Sequence, residues 1–213
     1  MKRDKLLILV TALVLVAAFF FGARWYRAQQ ESKPAVSVDP RLPPLAREFS
    51  PRLGPDNAKV VLTEFYDPEC EACRMFYPVV KQVMKEFEGQ VQLIVRYMAF
   101  HKNSQYAIKV LESARKQGKY WEALQVVFER QPEWATHAKE KPELLPTYMK
   151  ELGLDMQAFN SSLEDPVILS KLQQDMADGR SINVNRTPTF FVNGRVLIDP
   201  NFDTLKAAIQ REL

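Results

Sequence analysis

The stretch YDPECEACRMFYPVV, residues 66–80, contains both cysteines of this 213-residue chain. Two residues separate Cys70 from Cys73, so in a helix the two thiols lie one turn apart, and one can attack a disulfide formed at the other. A helix is predicted to begin at Cys70, where free backbone amides stabilise a thiolate. Cys70 is therefore expected to be the nucleophile and Cys73 the resolving thiol.

A metal site is the main alternative for such a pair. A zinc site needs four ligands, and besides the two cysteines the chain offers only His101 and His137 or carboxylates, so zinc is disfavoured. Cu(I) needs only two thiolates, which keeps a copper-handling module as the alternative function. A static disulfide would close a very short loop and add little stability. Sulfur exchange itself requires no metal and no organic cofactor.

The cysteine pair lies between a predicted strand and a predicted helix. The strands are rich in β-branched and aromatic residues, and the helix has apolar residues at intervals of one, three and four. The order of elements predicts a mixed α/β sheet covered by helices. These elements are a strand at 59–67, a helix to Gly89, a strand at 91–100, a helical region, a hairpin turning at Asn193-Gly194, and a last helix.

An apolar segment near the N-terminus predicts a membrane anchor. Residues 6–23 contain no charged side chain, and as a helix they would span about 27 Å, close to the apolar core of a bilayer. The basic residues before them favour a cytoplasmic location for residues 1–5. Phe19, Phe20 and Phe21 stand where a signal peptide has small residues, so an uncleaved anchor is expected. A cleaved signal, giving a soluble periplasmic protein, is the alternative.

The rest of the chain divides into a linker and a folded domain. Residues 24–56 carry six prolines among polar residues, which is typical of an extended linker. The domain is expected to cover residues 57–213. From residue 25 onward the chain has 25 basic and 25 acidic side chains, so nothing in its charge indicates a nucleic-acid partner.

From about residue 57 to the C-terminus the sequence resembles the bacterial DsbA-like thiol–disulfide oxidoreductases, which have a thioredoxin fold. The motif VLTEFYDPECEAC, the helical region before RTPTFFVNG, and the Thr187-Pro188 step carry the resemblance. It implies a thioredoxin-like fold with a helical insertion at about 104–180 between the two halves of the sheet. It also implies that Pro188 is a cis proline packed against the cysteines, and that Thr187 and Pro188 bind substrate.

Two further residues take roles from this resemblance. Glu64, six residues before Cys70, matches a buried acid that lies beneath the second cysteine in thioredoxin-like proteins. Burial would raise its pKa, which suits proton exchange with Cys73; a solvent-facing strand residue is the alternative. Pro78 matches the proline that bends the active-site helix.

The sequence departs from the strongly oxidising branch of the family between its cysteines. That branch has a histidine before the second cysteine, whereas this chain has Glu71-Ala72, with Asp67 and Glu69 upstream. Negative charge near Cys70 would raise the pKa of its thiol. A weaker oxidant than DsbA is therefore expected, and Thr187, whose hydroxyl can reach the sulfurs, is a second reason for a different potential.

Together these features predict a thiol–disulfide oxidoreductase anchored in the inner membrane with its catalytic domain in the periplasm. The resemblance implies cysteine-containing exported proteins as clients and a membrane redox partner of the DsbB or DsbD type. It leaves the direction of electron flow open. A monomer is expected, because residues 24–56 are too few for the dimerisation domain of the isomerase branch.

Overall fold

The computed structural model describes residues 13–25, 39–136 and 139–213. Residues 13–25 are helical and fall in a unit separate from the one that begins at residue 37. The predicted anchor at 6–23 lies partly outside the described residues, as does His137. Within the described ranges, no helix has both the length and the apolar character needed to cross a membrane.

The folded unit has seven strands and eight α-helices among the described residues. The strands are β1 (Arg52–Leu53), β2 (Val60–Tyr66), β3 (Val91–Tyr97), β4 (Ala135–Thr136), β5 (Lys139–Glu140), β6 (Thr189–Val192) and β7 (Arg195–Val196). The helices are α1 (Glu71–Glu86), α2 (Ser104–Arg115), α3 (Tyr120–Glu129), α4 (Gln131–Trp134), α5 (Leu145–Glu151), α6 (Met156–Leu163), α7 (Pro166–Ser181) and α8 (Phe202–Glu212), with a 3-10 turn at Pro142–Leu144.

Five strands form one mixed sheet in the order β1-β3-β2-β6-β7. The central pair β2 and β3 is parallel and is joined through α1, whereas β1, β6 and β7 each pair antiparallel to their neighbours. Every residue of β2 and β3 is buried, as expected for strands covered on both faces. The predicted mixed sheet is confirmed, and α2 to α7 form the predicted helical insertion between β3 and β6.

The folded unit begins earlier than the sequence predicted. Leu45 and Ala46 are fully buried, β1 pairs with β3, and Pro51 accepts a hydrogen bond from the Val95 amide at 3.1 Å. Residues 45–56, which were predicted as linker, therefore belong to the domain. The prolines suggested a linker, but proline is also tolerated in an edge strand and in the residues just before it. An edge strand leaves some backbone N–H groups unpaired, so the N–H that proline lacks is not missed there.

A buried ion cluster joins this early segment to the rest of the domain. Arg96 of β3 is fully buried and donates to Asp175 and Asp178 of α7 at 2.8 and 2.6 Å, and also to the Pro44 carbonyl. Arg47 donates twice to Asp178 at 2.8 Å. The cluster has two charges of each sign and several hydrogen bonds, which is the condition under which buried charges are tolerated.

Three buried tyrosines connect the sheet to the helical insertion. The Tyr120 hydroxyl lies 2.9 Å from the hydroxyls of both Tyr66 and Tyr97, and Tyr97 donates to Glu112 at 2.8 Å. Buried hydroxyls are stable only when hydrogen-bonded. The network therefore fixes α2 and α3 against the carboxyl ends of β2 and β3, where α1 begins.

Candidate active site

The two cysteines lie at the start of α1, at the carboxyl end of β2. Cys70 is the N-cap residue with an extended backbone, φ −74° and ψ 122°, and Glu71 is the first helical residue. Both thiols are free; Cys70 is 8% exposed and Cys73 is inaccessible. The predicted helix start is confirmed, and a client sulfur can approach Cys70 but not Cys73.

The surroundings of Cys70 favour its thiolate and lower the pKa to about 5. The largest contribution is a hydrogen bond from the Cys73 thiol; burial opposes it, and the Thr187 side chain and the backbone amides of Cys73 and Ala72 add to it. These amides belong to the first turn of α1, whose N–H groups have no partner within the helix. Ala72 thus acts through its backbone.

The expected raising of the Cys70 pKa by neighbouring acids is wrong. Asp67 and Glu69 are buried, but their carboxylates accept hydrogen bonds from the loop that follows β3. Asp67 accepts from the Phe100 amide at 2.8 Å, and Glu69 accepts from the Asn103 amide at 2.6 Å. Sequence proximity did not indicate this, because these donors lie more than 30 positions further along the chain.

The surroundings of Cys73 have the opposite effect. Burial raises its pKa well above the usual value, and the neighbouring Cys70 sulfur and Glu64 carboxyl add to the shift. A single hydrogen bond, from the Asp67 amide at 3.5 Å, favours the thiolate. Cys73 therefore stays a neutral thiol that donates to Cys70.

Glu64 is buried, as the sequence predicted, and the alternative of a solvent-facing residue is wrong. It lies in the middle of β2 with 7% of its surface exposed, and burial raises its pKa to about 8. Its side chain forms no hydrogen bond or ion pair with any residue that the structure describes. At neutral pH the group therefore carries a proton.

The Thr187-Pro188 loop lies against the cysteine pair. The peptide bond is cis, as the resemblance implied, and Pro188 is buried. The Thr187 carbonyl oxygen lies 3.4 Å from Cys70 Sγ, and the Thr187 side chain favours the Cys70 thiolate, so both the backbone and the side chain of Thr187 contact the reactive sulfur. Pro78 lies inside α1 and Glu71 in its exposed first turn, as predicted.

Two polar residues near the cysteines were not predicted. Gln131 is buried and donates to the carbonyls of Pro68 and Cys70 at 2.9 and 3.1 Å, while Arg74 donates to Gln131. Gln131 thus holds the turn before α1, and no sequence signal marked it. His101, in the sequence only a possible zinc ligand, is the second.

His101 forms part of the same environment. Its Nδ1 lies 2.7 Å from Asp67 Oδ2, and its side chain is 39% exposed. Burial lowers the pKa of His101, but the hydrogen bond and charge of Asp67, with the charges of Cys70 and Glu69, raise it by more. Across the described part of the chain, no three His, Cys, Asp or Glu side chains are grouped to hold a metal ion.

Comparison with known proteins agrees with this geometry. A family model described as thioredoxin matches residues 47–211. The chain belongs to the thioredoxin family. Within that family its relatives are DsbA-like: disulfide bond formation protein D of Bacillus subtilis is 30% identical over 201 residues, which cover 86% of this chain and 84% of that protein. The family model begins at residue 47, within the segment that the sequence placed in the linker.

Solved structures and longer proteins also resemble this member of the thioredoxin family. Oxidised BdbD from Bacillus subtilis superimposes with a TM-score of 0.71 at 27% identity, covering 84% of this chain and 97% of that one. The Na⁺/H⁺ antiporter NhaA of Herminiimonas arsenicoxydans is 33% identical over 155 residues, 73% of this chain. The chain spans 24% of that antiporter's length, so a similar domain is part of a longer protein there.

Proposed function

We propose that this protein is a thiol–disulfide oxidoreductase that donates the Cys70–Cys73 disulfide to cysteine-containing exported proteins. The observation that carries the proposal is the contrast between the two sulfurs: the pKa of Cys70 is lowered to about 5 and that of Cys73 is raised. A stabilised Cys70 thiolate favours the reduced enzyme, which makes the disulfide a better oxidant. The disulfide-forming names of its full-length relatives agree with this direction.

The exchange follows from the positions of the groups. A client thiolate attacks Cys70 Sγ, the Cys70–Cys73 bond breaks, and Cys73 takes the electron pair and a proton. Glu64, protonated at neutral pH, is the proposed donor of that proton. A second client thiolate then attacks the client sulfur of the mixed disulfide and releases Cys70 as a thiolate. The client is oxidised by two electrons and the enzyme gains two thiols.

The loop at Thr187 and Pro188 is the proposed substrate-binding element. Because the Thr187 carbonyl lies 3.4 Å from Cys70 Sγ, a client joined to Cys70 must run past it. The backbone groups of this loop then bind the client chain irrespective of its side chains.

We further propose that residues 6–23 anchor the protein in the inner membrane, with the catalytic domain in the periplasm. The uncharged apolar run supports the anchor. In an oxidising compartment the reduced pair must be reoxidised by a membrane partner, of the DsbB type if the enzyme is a disulfide donor, whereas a reductase would need a DsbD-type partner. The proposed enzyme acts as a monomer.

The reduction potential of the Cys70–Cys73 pair tests the proposed direction of electron flow, from the client to the enzyme. The Cys70 pKa lies between about 7 for thioredoxin and about 3.5 for DsbA, so the potential is expected between about −270 and about −120 mV, and closer to DsbA. Equilibration with glutathione buffers measures it. A value at or below that of thioredoxin would contradict a donor role and favour a reductase.

Two cysteine variants test the mechanism. Cys73→Ser should accumulate mixed disulfides with exported proteins, because Cys73 can no longer attack the mixed disulfide and only a second client thiolate can release the client, while Cys70→Ser should accumulate none. If both variants exchange disulfides like the wild type, the enzymatic proposal fails. Tight stoichiometric binding of Cu(I) with negligible exchange would instead support the copper-handling alternative.

A further inference from the structure

An apolar cavity of about 300 Å³ lies between the sheet, α1 and α3. Four of the residues lining it are aromatic, namely Tyr66, Tyr77, Trp121 and Phe128. The Phe128 ring lies 5.7 Å from the Tyr66 ring and 5.3 Å from the Tyr77 ring. A volume of this size with packed aromatic walls is at the lower end of the range for small-molecule sites.

Glu64 supplies a polar group in this cavity. The residue is 93% buried, lines the cavity, and makes no hydrogen bond within the described part of the chain. Of the other polar side chains that line the cavity, Tyr66 is bonded to Tyr120 at 2.9 Å and Lys81 to Gln125 at 3.2 Å; Tyr77, Trp121 and Glu122 line it as well. A water molecule needs two to four polar partners to be held stably, so an organic ligand with one polar atom suits the site better.

We propose that this cavity binds a small uncharged aromatic molecule with one hydrogen-bond acceptor, such as an aryl ketone, which accepts a hydrogen bond from the Glu64 carboxyl. The aromatic side chains contact the ring of the ligand, and the Glu64 carboxyl favours ligands that carry a hydrogen-bond acceptor. A buried donor without a partner has lost its hydrogen bonds to water, and forming a hydrogen bond with the ligand recovers that free energy. A charged ligand is disfavoured because the walls are mostly apolar and the two charged side chains that line the cavity, Lys81 and Glu122, are exposed to solvent.

The proposed contact depends on the proton of Glu64. The ionisable groups that face Glu64 are Cys73 and Tyr77 from α1 and Tyr66 from its own strand, with Lys81 and Glu122 lining the same cavity. Since the pKa of Glu64 is about 8, the acid loses its proton above that pH and can no longer donate. Binding should then weaken by about tenfold for each further pH unit.

An occupied cavity should also slow disulfide exchange. A ligand bonded to the Glu64 proton competes with Cys73 for it, so the step in which Cys73 leaves should become slower. This second effect rests on the proposed function, whereas binding itself does not. If the ligand binds without changing the exchange rate, the binding site is supported and the proton role of Glu64 fails.

Methyl NMR of the full-length reduced protein, with acetophenone as the probe, tests the site. Ethylbenzene, which has nearly the same shape and no acceptor, is the matched control. Acetophenone should shift the methyl signals of Val80, Met84 and Leu124, and bind about tenfold more tightly than ethylbenzene because of the added hydrogen bond. Shifts outside the cavity, or equal affinity for both probes, would overturn the proposal.

Two variants separate the hydrogen bond from the shape of the site. Glu64→Gln keeps a donor and should bind acetophenone with an affinity that no longer changes between pH 7 and pH 9. Leu124→Trp fills the cavity and should abolish binding of both probes. Wild-type binding that is independent of pH, or binding that survives Leu124→Trp, would show that the ligand lies elsewhere.

Discussion

The two cysteines of the pair differ in the groups that surround them. At Cys70, the thiol of Cys73, the Thr187 side chain and two backbone amides all stabilise negative charge. At Cys73, burial dominates, and the Cys70 sulfur and the Glu64 carboxyl add to its effect by opposing ionisation. The residue type is the same at both positions, so position within the helix start decides which sulfur is stabilised as a thiolate.

Two buried acids near the cysteine pair, Asp67 and Glu64, also differ in what surrounds them. Asp67 accepts four hydrogen bonds, from the Glu69 and Phe100 amides and from both the amide and the ring of His101. Glu64 accepts none from the described residues. A carboxylate with several donors is stable when buried, whereas one without donors keeps its proton. The comparison predicts that removing each acid has opposite effects on stability.

The largest effect is expected for Glu64→Gln. The pKa of Glu64 is raised from 4.5 to about 8 in the folded protein, so between those pH values the folded state holds a proton that the unfolded state has lost. Its stability therefore falls as pH rises through this window, and the substitution should stabilise the protein by about 3 kcal/mol at pH 7. Urea unfolding at pH 5, 7 and 8 measures this.

A control for that experiment is Glu122→Gln, which changes an exposed acid lining the same cavity. It should leave both stability and its pH dependence close to those of the wild type. An unchanged pH slope in Glu64→Gln would mean that Glu64 is not the protonated group, and the contrast between the two acids would be lost.

The opposite result is expected for Asp67→Asn. Asparagine has one acceptor oxygen and places an NH₂ group against amides that themselves need an acceptor, so the protein should lose about 2 to 3 kcal/mol of stability. Faster hydrogen exchange at the Phe100 and His101 amides should accompany the loss. Asp203→Asn, at an exposed position in α8, is the control; equal small losses in both variants would contradict the role of Asp67.

A smaller effect is expected for Thr187→Val, which removes a hydroxyl while keeping the side-chain shape. The pKa of Cys70 should rise by up to about one unit, because the amides and the Cys73 thiol still stabilise the thiolate. Titration of thiolate absorbance measures the change. No change would show that the helix start and Cys73 account for the low pKa by themselves.

The smallest effect is expected for His101→Gln. The positive charge of His101 favours the Cys70 thiolate, but its side chain is 39% exposed and solvent screens it, so the Cys70 pKa should rise by only about a few tenths of a unit. The stability that the raised pKa of His101 provides is present below pH 6.5 and lost as pH rises through that pKa. Lys85→Gln, at the far end of α1, should change neither quantity.

Local patterns explain why much of the fold was predictable. The parallel strands β2 and β3 are rich in β-branched and aromatic residues, α1 has one apolar face, and Asn193-Gly194 forms a hairpin turn with φ of 44° and 81°. Asp165 caps α7 by accepting from the Val167 amide. Each of these signals depends on residues close in sequence, which is why they could be recognised without tertiary structure.

The amino-acid sequence alone determined the pair Cys70 and Cys73 and the strand that holds Glu64, and it predicts Cys70 as the nucleophile and Cys73 as the resolving thiol. The tertiary structure alone decided that residues from 45 onward belong to the domain, that Gln131 and His101 border the site, and that the Cys70 pKa is lowered. Hydrogen bonds from residues 30 or more positions away direct the carboxylates of Asp67 and Glu69 to the loop after β3. Spacing fixes which groups can react, but the sign of a pKa shift depends on donors that only folding brings together.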